Sequence, residues 1–191
     1  MTGMDGDQMM DDYLPHLSDD NKRFLLTVAR DAVENHVKGL PLNRLLYTDS
    51  ALKQGWGAFV TLKVRGNLRG CIGTITSNKP VPETIAELAV KSAAHDPRFP
   101  PMGPAELEDL SVEISILGPI REVLKIDEIQ VGRDGLVIEY YGRHGLLLPQ
   151  VATEHGLNLQ EFLAQTCLKA GLPQDAWKHG ARIFRFSAEV F

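Results

Sequence analysis

Apolar residues recur along this chain with two different periods, and the changes of period mark out its elements. After Ser18, Asp19 and Asp20 comes a run with Phe24, Leu25, Val28, Ala32 and Val33 at three- and four-residue spacing. That spacing predicts an amphipathic helix capped by Ser18, with acids in its first turn where the helix dipole favours them, ending near Gly39. An irregular connection follows over residues 41–54. Over residues 56–64 the period drops to two: Trp56, Ala58, Val60, Leu62 and Val64 share one face, and Thr61 and Lys63 lie on the other. This predicts a half-buried strand. Gly66 and Asn67 tolerate positive φ, so they predict a two-residue hairpin turn leading into a returning strand over 68–76.

A second helix is predicted over residues 80–95, with Ile85, Leu88, Ala89 and Ser92 on its inner face. The prolines of Asp96-Pro97-Arg98-Phe99-Pro100-Pro101 remove donors and dictate a rigid non-helical loop. Alternation returns at 110–116, where Leu110, Val112, Ile114 and Ile116 oppose Ser111, Glu113 and Ser115. Beyond Gly118-Pro119, Asp134-Gly135 and the turn Gly142-Arg143-His144-Gly145 punctuate short strands over 136–141 and 146–148. Asn158 with Glu161 resembles a capping box and opens a helix that ends at Gly171. Residues 182–191 form a closing strand.

Hairpin strands mixed with separate helices, with no regular βαβ rhythm, predict an α+β fold: a mainly antiparallel sheet flanked by helices. A boundary near Gly118 divides a larger subdomain, about 13–118 plus 181–191, from a smaller lobe, about 119–180. Residues 1–12 are acidic, rich in Gly and Met, and predict a disordered lead-in.

Charge and composition mostly exclude. The 20 basic and 25 acidic residues give a net charge of −5, and no run of Lys and Arg suggests nucleic-acid binding. No apolar stretch approaches the roughly 20 residues that span a bilayer. The N-terminus lacks the basic and apolar regions of a signal peptide. Two cysteines do not make a disulfide framework, and with the missing signal they predict a cytoplasmic protein. The histidines have no metal-ligand spacing, there is no Cys-x-x-Cys pair, no P-loop and no G-x-G-x-x-G, so no metal or cofactor is expected.

The candidate chemistry lies in Leu68-Arg69-Gly70-Cys71-Ile72-Gly73. A turn at Gly66-Asn67 pairs Val64 with Arg69, Leu62 with Cys71 and Val60 with Gly73, which puts Arg69 and Cys71 together on the apolar face of the hairpin. A slip of one residue would reverse this. An inward arginine is costly unless it is paired or lines a wet cleft, and beside a thiol it favours the reactive thiolate. Gly70 and Gly73 would let a ligand or another backbone approach. The alternative is a structural cysteine with glycines at a bulge or helix contact. His95 is a candidate base oriented by Asp96, although a histidine also suits a helix C-terminus. Glu113 is a candidate general base or a solvated strand residue. Arg98, Arg143 and Gln150 join Arg69 as candidate substrate-binding residues; exposed turn positions and a satisfied polar side chain explain the last two equally well. Cys167, four residues after Leu163, packs in a core.

The hexapeptide resembles the hallmark of the AMMECR-one domain family. In family order, so do Ala94-His95-Asp96-Pro97-Arg98-Phe99, Val112-Glu113-Ile114-Ser115-Ile116-Leu117, Leu147-Leu148-Pro149-Gln150-Val151 and Lys169-Ala170-Gly171-Leu172. The resemblance covers roughly residues 17–191. It implies an α+β fold of a larger and a smaller subdomain with a cleft between them. It also implies membership of a set containing a Memo-type protein, similar to extradiol dioxygenases, and a radical-SAM protein. No settled reaction comes with it. Two readings stand: a component of a modification pathway using Cys71 as a reactive thiol, or a non-catalytic adaptor or ligand-binding module in which the hairpin is structural.

Overall fold

A computed structural model describes residues 17–191; the lead-in expected over residues 1–12 lies outside the described residues. The fold is α+β, with antiparallel sheets and, among the described residues, four α-helices. It divides into two compact units. The first contains residues 17–117 together with 189–191, the second residues 118–188.

In the first unit, α1 spans Asp19–Val37. Its N-cap Ser18 accepts a hydrogen bond from the amide of Asn21, and the chain leaves the helix through Gly39 at φ 67°. Strands β1 (Gly57–Val64), β2 (Asn67–Thr74) and β3 (Leu110–Leu117) form a sheet in the order β2-β1-β3. Helix α2 (Val81–Ala94) buries Ile85, Leu88, Ala89 and Ser92, the face that its periodicity predicts. Ile85, Leu88 and Ala89 join Ala58, Val60 and Leu62 of β1, Ile114 and Ile116 of β3 and Leu25 and Val33 of α1 in one core. Each large aliphatic side chain so buried contributes about 1.5–3 kcal/mol. Phe191 exchanges two backbone hydrogen bonds with Ile114.

In the second unit, β4 (Arg121–Glu122) pairs β7 (Arg182–Val190), β7 pairs β5 (Asp134–Tyr140), and β5 pairs β6 (Arg143–Leu147). Helices α3 (Pro149–Glu154) and α4 (Leu159–Lys169) complete it. The capping box of Asn158 and Glu161 is present. Phe162, Leu163 and Cys167 pack with Leu136, Ile138 and Ile183 in a second core.

The β1–β2 hairpin departs from the predicted register. Its turn is Arg65-Gly66, one residue earlier, with φ 52° and 78°. Two consecutive positive φ values are those of a type I′ turn. Arg65 is held there by Asp109: their backbones are bonded and its Nε lies 2.7 Å from the carboxylate. Asn67 begins β2 instead, and its side chain donates to the Arg65 carbonyl. From this turn Val64 pairs Asn67 and Lys63 pairs Leu68, but Leu62 then pairs Gly70. Arg69 is the extra residue of a β-bulge, and the bulge reverses every face beyond it. The expectation that Cys71 lies on the apolar face is therefore corrected: Cys71 pairs Thr61, on the polar face. The β5–β6 hairpin likewise turns at Tyr141-Gly142, φ 46° and 76°, so Arg143 and His144 are strand residues, not a turn.

Candidate functional site

The register of the three-stranded sheet assembles the site. Thr61 pairs Cys71 on one side and Glu113 on the other, which places Cys71, Thr61 and Glu113 in one lateral row on one face. Neighbouring strands are about 4.8 Å apart, so roughly 10 Å separates the ends of the row. The Thr61 hydroxyl donates to the Cys71 sulfur at 3.2 Å. Lys63, on the same face, places its Nζ 2.9 Å from the Glu113 carboxylate, and both side chains remain about one third exposed, 37% and 35%. Phe59 borders the row and covers Gly73; a β-carbon there would lie 2.1 Å from its ring.

The other side of the thiol is organised by the loop after α2. Asp96, whose side chain is 2% exposed, accepts the Cys71 amide at 2.8 Å and a forked pair of bonds from the Arg98 guanidinium at 2.9 and 2.7 Å. The Arg98 pairing holds the Asp96 carboxyl far below the usual carboxylate range, against the opposing effect of burial. Arg98 Nη2 also reaches the Cys71 carbonyl at 3.4 Å. Asp96 raises the Arg98 pKa, and burial opposes it.

Arg69, expected beside the thiol, is committed elsewhere. Its Nε and Nη2 grip Glu106 at 2.5 and 3.1 Å, and Nη2 also donates to the Pro100 carbonyl at 2.9 Å. The side chain is 12% exposed, and Arg69 lowers the Glu106 carboxyl against the effect of burial. The bulge supplies the reason: it turns Arg69 toward the loop at the end of α2. The cation beside Cys71 is Arg98 instead.

His95 is exposed at the C-cap of α2, and no hydrogen bond among the described residues joins its ring to Cys71. Arg143 and Gln150 belong to the second unit. Arg143 donates to the Gly171 carbonyl at 2.8 Å, satisfying the end of α4, and Gln150 lies in the first turn of α3. Cys167 is fully buried, and burial pushes its thiol up. The structure thus gathers Cys71, Glu113 and Arg98 and adds Thr61, Lys63 and Asp96. Alternation had put Thr61 and Lys63 on the polar face of β1; what the chain did not display was that Cys71 would join them. Among the described residues, no group of three or more His, Cys, Asp or Glu is placed to hold a metal, and no helix is long and apolar enough to cross a membrane.

Residues 26–191 match the AMMECR1 family profile. The chain belongs to the AMMECR1 family. A protein of Methanothermobacter thermautotrophicus is 46% identical over 94% of this chain and 97% of its own length. One from Methanocaldococcus jannaschii is 41% identical over 88% of each. The crystal structure of an uncharacterized protein from Pyrococcus horikoshii superposes with a TM-score of 0.85, at 40% identity over 91% of this chain and 92% of that one. The AMMECR1 hexapeptide, residues 68–73, is therefore the bulged edge strand that carries the Cys71 sulfur onto the polar row.

Proposed function

We propose that this AMMECR1 chain is a cytoplasmic component of a modification pathway, working with a Memo-type and a radical-SAM protein, and that Cys71 is its reactive thiol. The partners enter through the family resemblance; the role of Cys71 rests on geometry. Within the hexapeptide Arg69 pairs Glu106, Gly70 sits under the Ser92 carbonyl, the Ile72 amide binds the Ser92 hydroxyl, and Gly73 sits under Phe59. Even the backbone of Cys71 is held, by Asp96 and Arg98. The Cys71 sulfur meets the Thr61 hydroxyl and lies half-buried on the polar face of the sheet instead of in the core. That observation carries the reading.

Each neighbour then has a role. The Thr61 hydroxyl donates to the sulfur and fixes its position on the polar face. Arg98 keeps a half-exposed guanidinium beside it, suited to an anionic group on the substrate. Glu113, roughly 10 Å across the sheet, lies beyond direct proton transfer to the sulfur. With Lys63 it would handle the far end of a substrate lying across β1.

Thiol alkylation of the native chain as a function of pH, with Cys71→Ser and Cys71→Ala as controls, tests this. The expected result is modification of Cys71 in the folded protein and loss of pathway output in both variants. Alkylation only after unfolding, or a serine variant with full output, would overturn it.

The density of packing roles around the hexapeptide also supports a second reading, in which the hairpin is a rigid docking edge and the chain an adaptor. Cys71 variants that still co-purify with the partners and sustain output would favour it.

A further inference from the structure

In the second unit, α3, α4 and the end of β6 border a cavity of about 520 Å³. Helical spacing builds one wall. Helix α4 sends Phe162, Leu163, Thr166 and Cys167 into the core, so Gln165, Leu168 and Lys169 share its outer side, three and four residues apart. Val151 and His155, also four apart, face the cavity from α3 and its C-cap. Leu147 closes it from β6, and Leu157 from the connection after Gly156. The framework is tight. A β-carbon on Gly145 would lie 2.4 Å from the Ala170 amide nitrogen, so β6 meets α4 directly. Leu147 lies two residues beyond that contact on the same strand face, and Lys169 one residue before it on the helix.

Two properties of the lining point to a ligand. First, Leu147, Val151, Leu157 and Leu168 make a shared apolar surface that the fold leaves in contact with water, Leu168 with 44% of its surface exposed. Concave apolar surfaces enclosing roughly 300–1,000 Å³ are the usual seats of small molecules. Second, the polar side chains at its rim are uncommitted. Those of His155, Gln165 and Lys169 make no hydrogen bond or ion pair among the described residues, and no Asp or Glu lines the cavity. The site therefore combines an apolar floor, an unpaired ammonium and a free amide one helical turn away. A single ammonium is a point charge without the planar fork of arginine, and it suits one carboxylate better than a multiply charged group.

We infer that this cavity binds a small amphiphilic acid. The apolar body lies against Leu147, Val151, Leu157 and Leu168, and the carboxylate meets Lys169 and the Gln165 amide.

The full chain, with isotope-labelled leucine and valine methyls, would be titrated with sodium octanoate and with octanamide, its neutral counterpart, at equal ionic strength. Octanoate is expected to shift the methyl resonances of Leu147, Val151, Leu157 and Leu168 saturably. Octanamide should bind the same place about three- to tenfold more weakly, the modest range expected of one ion pair at a water-exposed rim. Lys169→Met should bring octanoate down to the level of octanamide and leave octanamide unchanged. Leu168→Glu should weaken both ligands, octanoate the more. Both positions are exposed, and unchanged methyl resonances of Leu25 and Leu62 in the first unit report that the chain remains folded. Failure of octanoate to shift these four residues, or shifts confined to other methyls, overturns the inference. So does equal affinity for octanoate and octanamide, or a folded Lys169→Met chain that binds octanoate as the native one does.

Discussion

The carbonyl oxygen of Ser92 lies 2.1 Å from the point where a β-carbon on Gly70 would stand. Helix α2 thus closes on the edge strand β2 with no room for a side chain. The Ser92 hydroxyl completes the join: it accepts the Ile72 amide at 2.9 Å and donates to the Val60 carbonyl at 2.8 Å, bridging β2 and β1. Gly70→Ala is expected to lose about 2–3 kcal/mol by overpacking. Ser92→Ala should lose about 1–3 kcal/mol by leaving a buried donor and acceptor unmet. Urea unfolding measures both, and a Gly70→Ala chain of native stability would show that α2 does not pack this closely.

Asp96 ties stability to pH. Its carboxyl is depressed in the folded chain, chiefly by Arg98, so its contribution is complete above the unfolded value of about 3.9 and declines as pH falls from there toward the folded value. Asp96→Asn should cost about 2–3 kcal/mol at neutral pH, the scale of hydrogen bonds to a charged group. The gap between the two proteins should narrow below about pH 4. Denaturant midpoints across an acid titration would follow this; a constant gap would mean that the carboxylate charge plays no part.

The two thiols should behave differently. A thiol reagent is expected to find Cys71 in the native chain and both Cys71 and Cys167 after denaturation, because Cys167 is fully buried. Thr61→Val removes the hydroxyl that positions the sulfur and should change the native alkylation rate several-fold while barely changing stability. An unchanged rate would separate Thr61 from the chemistry.

Glu106→Gln leaves the nearly buried Arg69 without its anionic partner. The expected loss is about 2–3 kcal/mol by calorimetry, below the full effect of a deeply buried pair because Glu106 keeps 31% of its side chain in contact with water. Glu106→Asp, one methylene shorter, should recover part of it.

Periodicity was enough to outline the helices and strands, because amphipathic faces repeat locally and Ser18, Asn158, Gly39 and Gly171 punctuate them with short-range chemistry. The site was half legible for the opposite reason. Glu113, Thr61 and Lys63 follow from alternation within single strands, and Arg98 from its motif. Which of them meet Cys71 depends on the register between strands, and that was decided by Asp109 holding Arg65 in the turn and by a bulge at Arg69. Neither leaves a periodic trace. Arg69 misled because spacing of two suggests a shared face, which a bulge at that very residue cancels.

The bulge has a consequence for how this hairpin can vary in length. Removing residue 69 would leave an uninterrupted ladder with Gly70 still opposite Leu62 and Cys71 still opposite Thr61, at the loss of the Arg69–Glu106 pair. Adding one residue between Gly70 and Cys71 would instead bring Cys71 opposite Val60 and turn it into the hydrophobic interior. Relatives that keep the thiol at the surface can therefore lose the bulge residue, but between Gly70 and the cysteine they should differ by even numbers of residues or by none, making that spacing as strict a constraint as the identity of the cysteine.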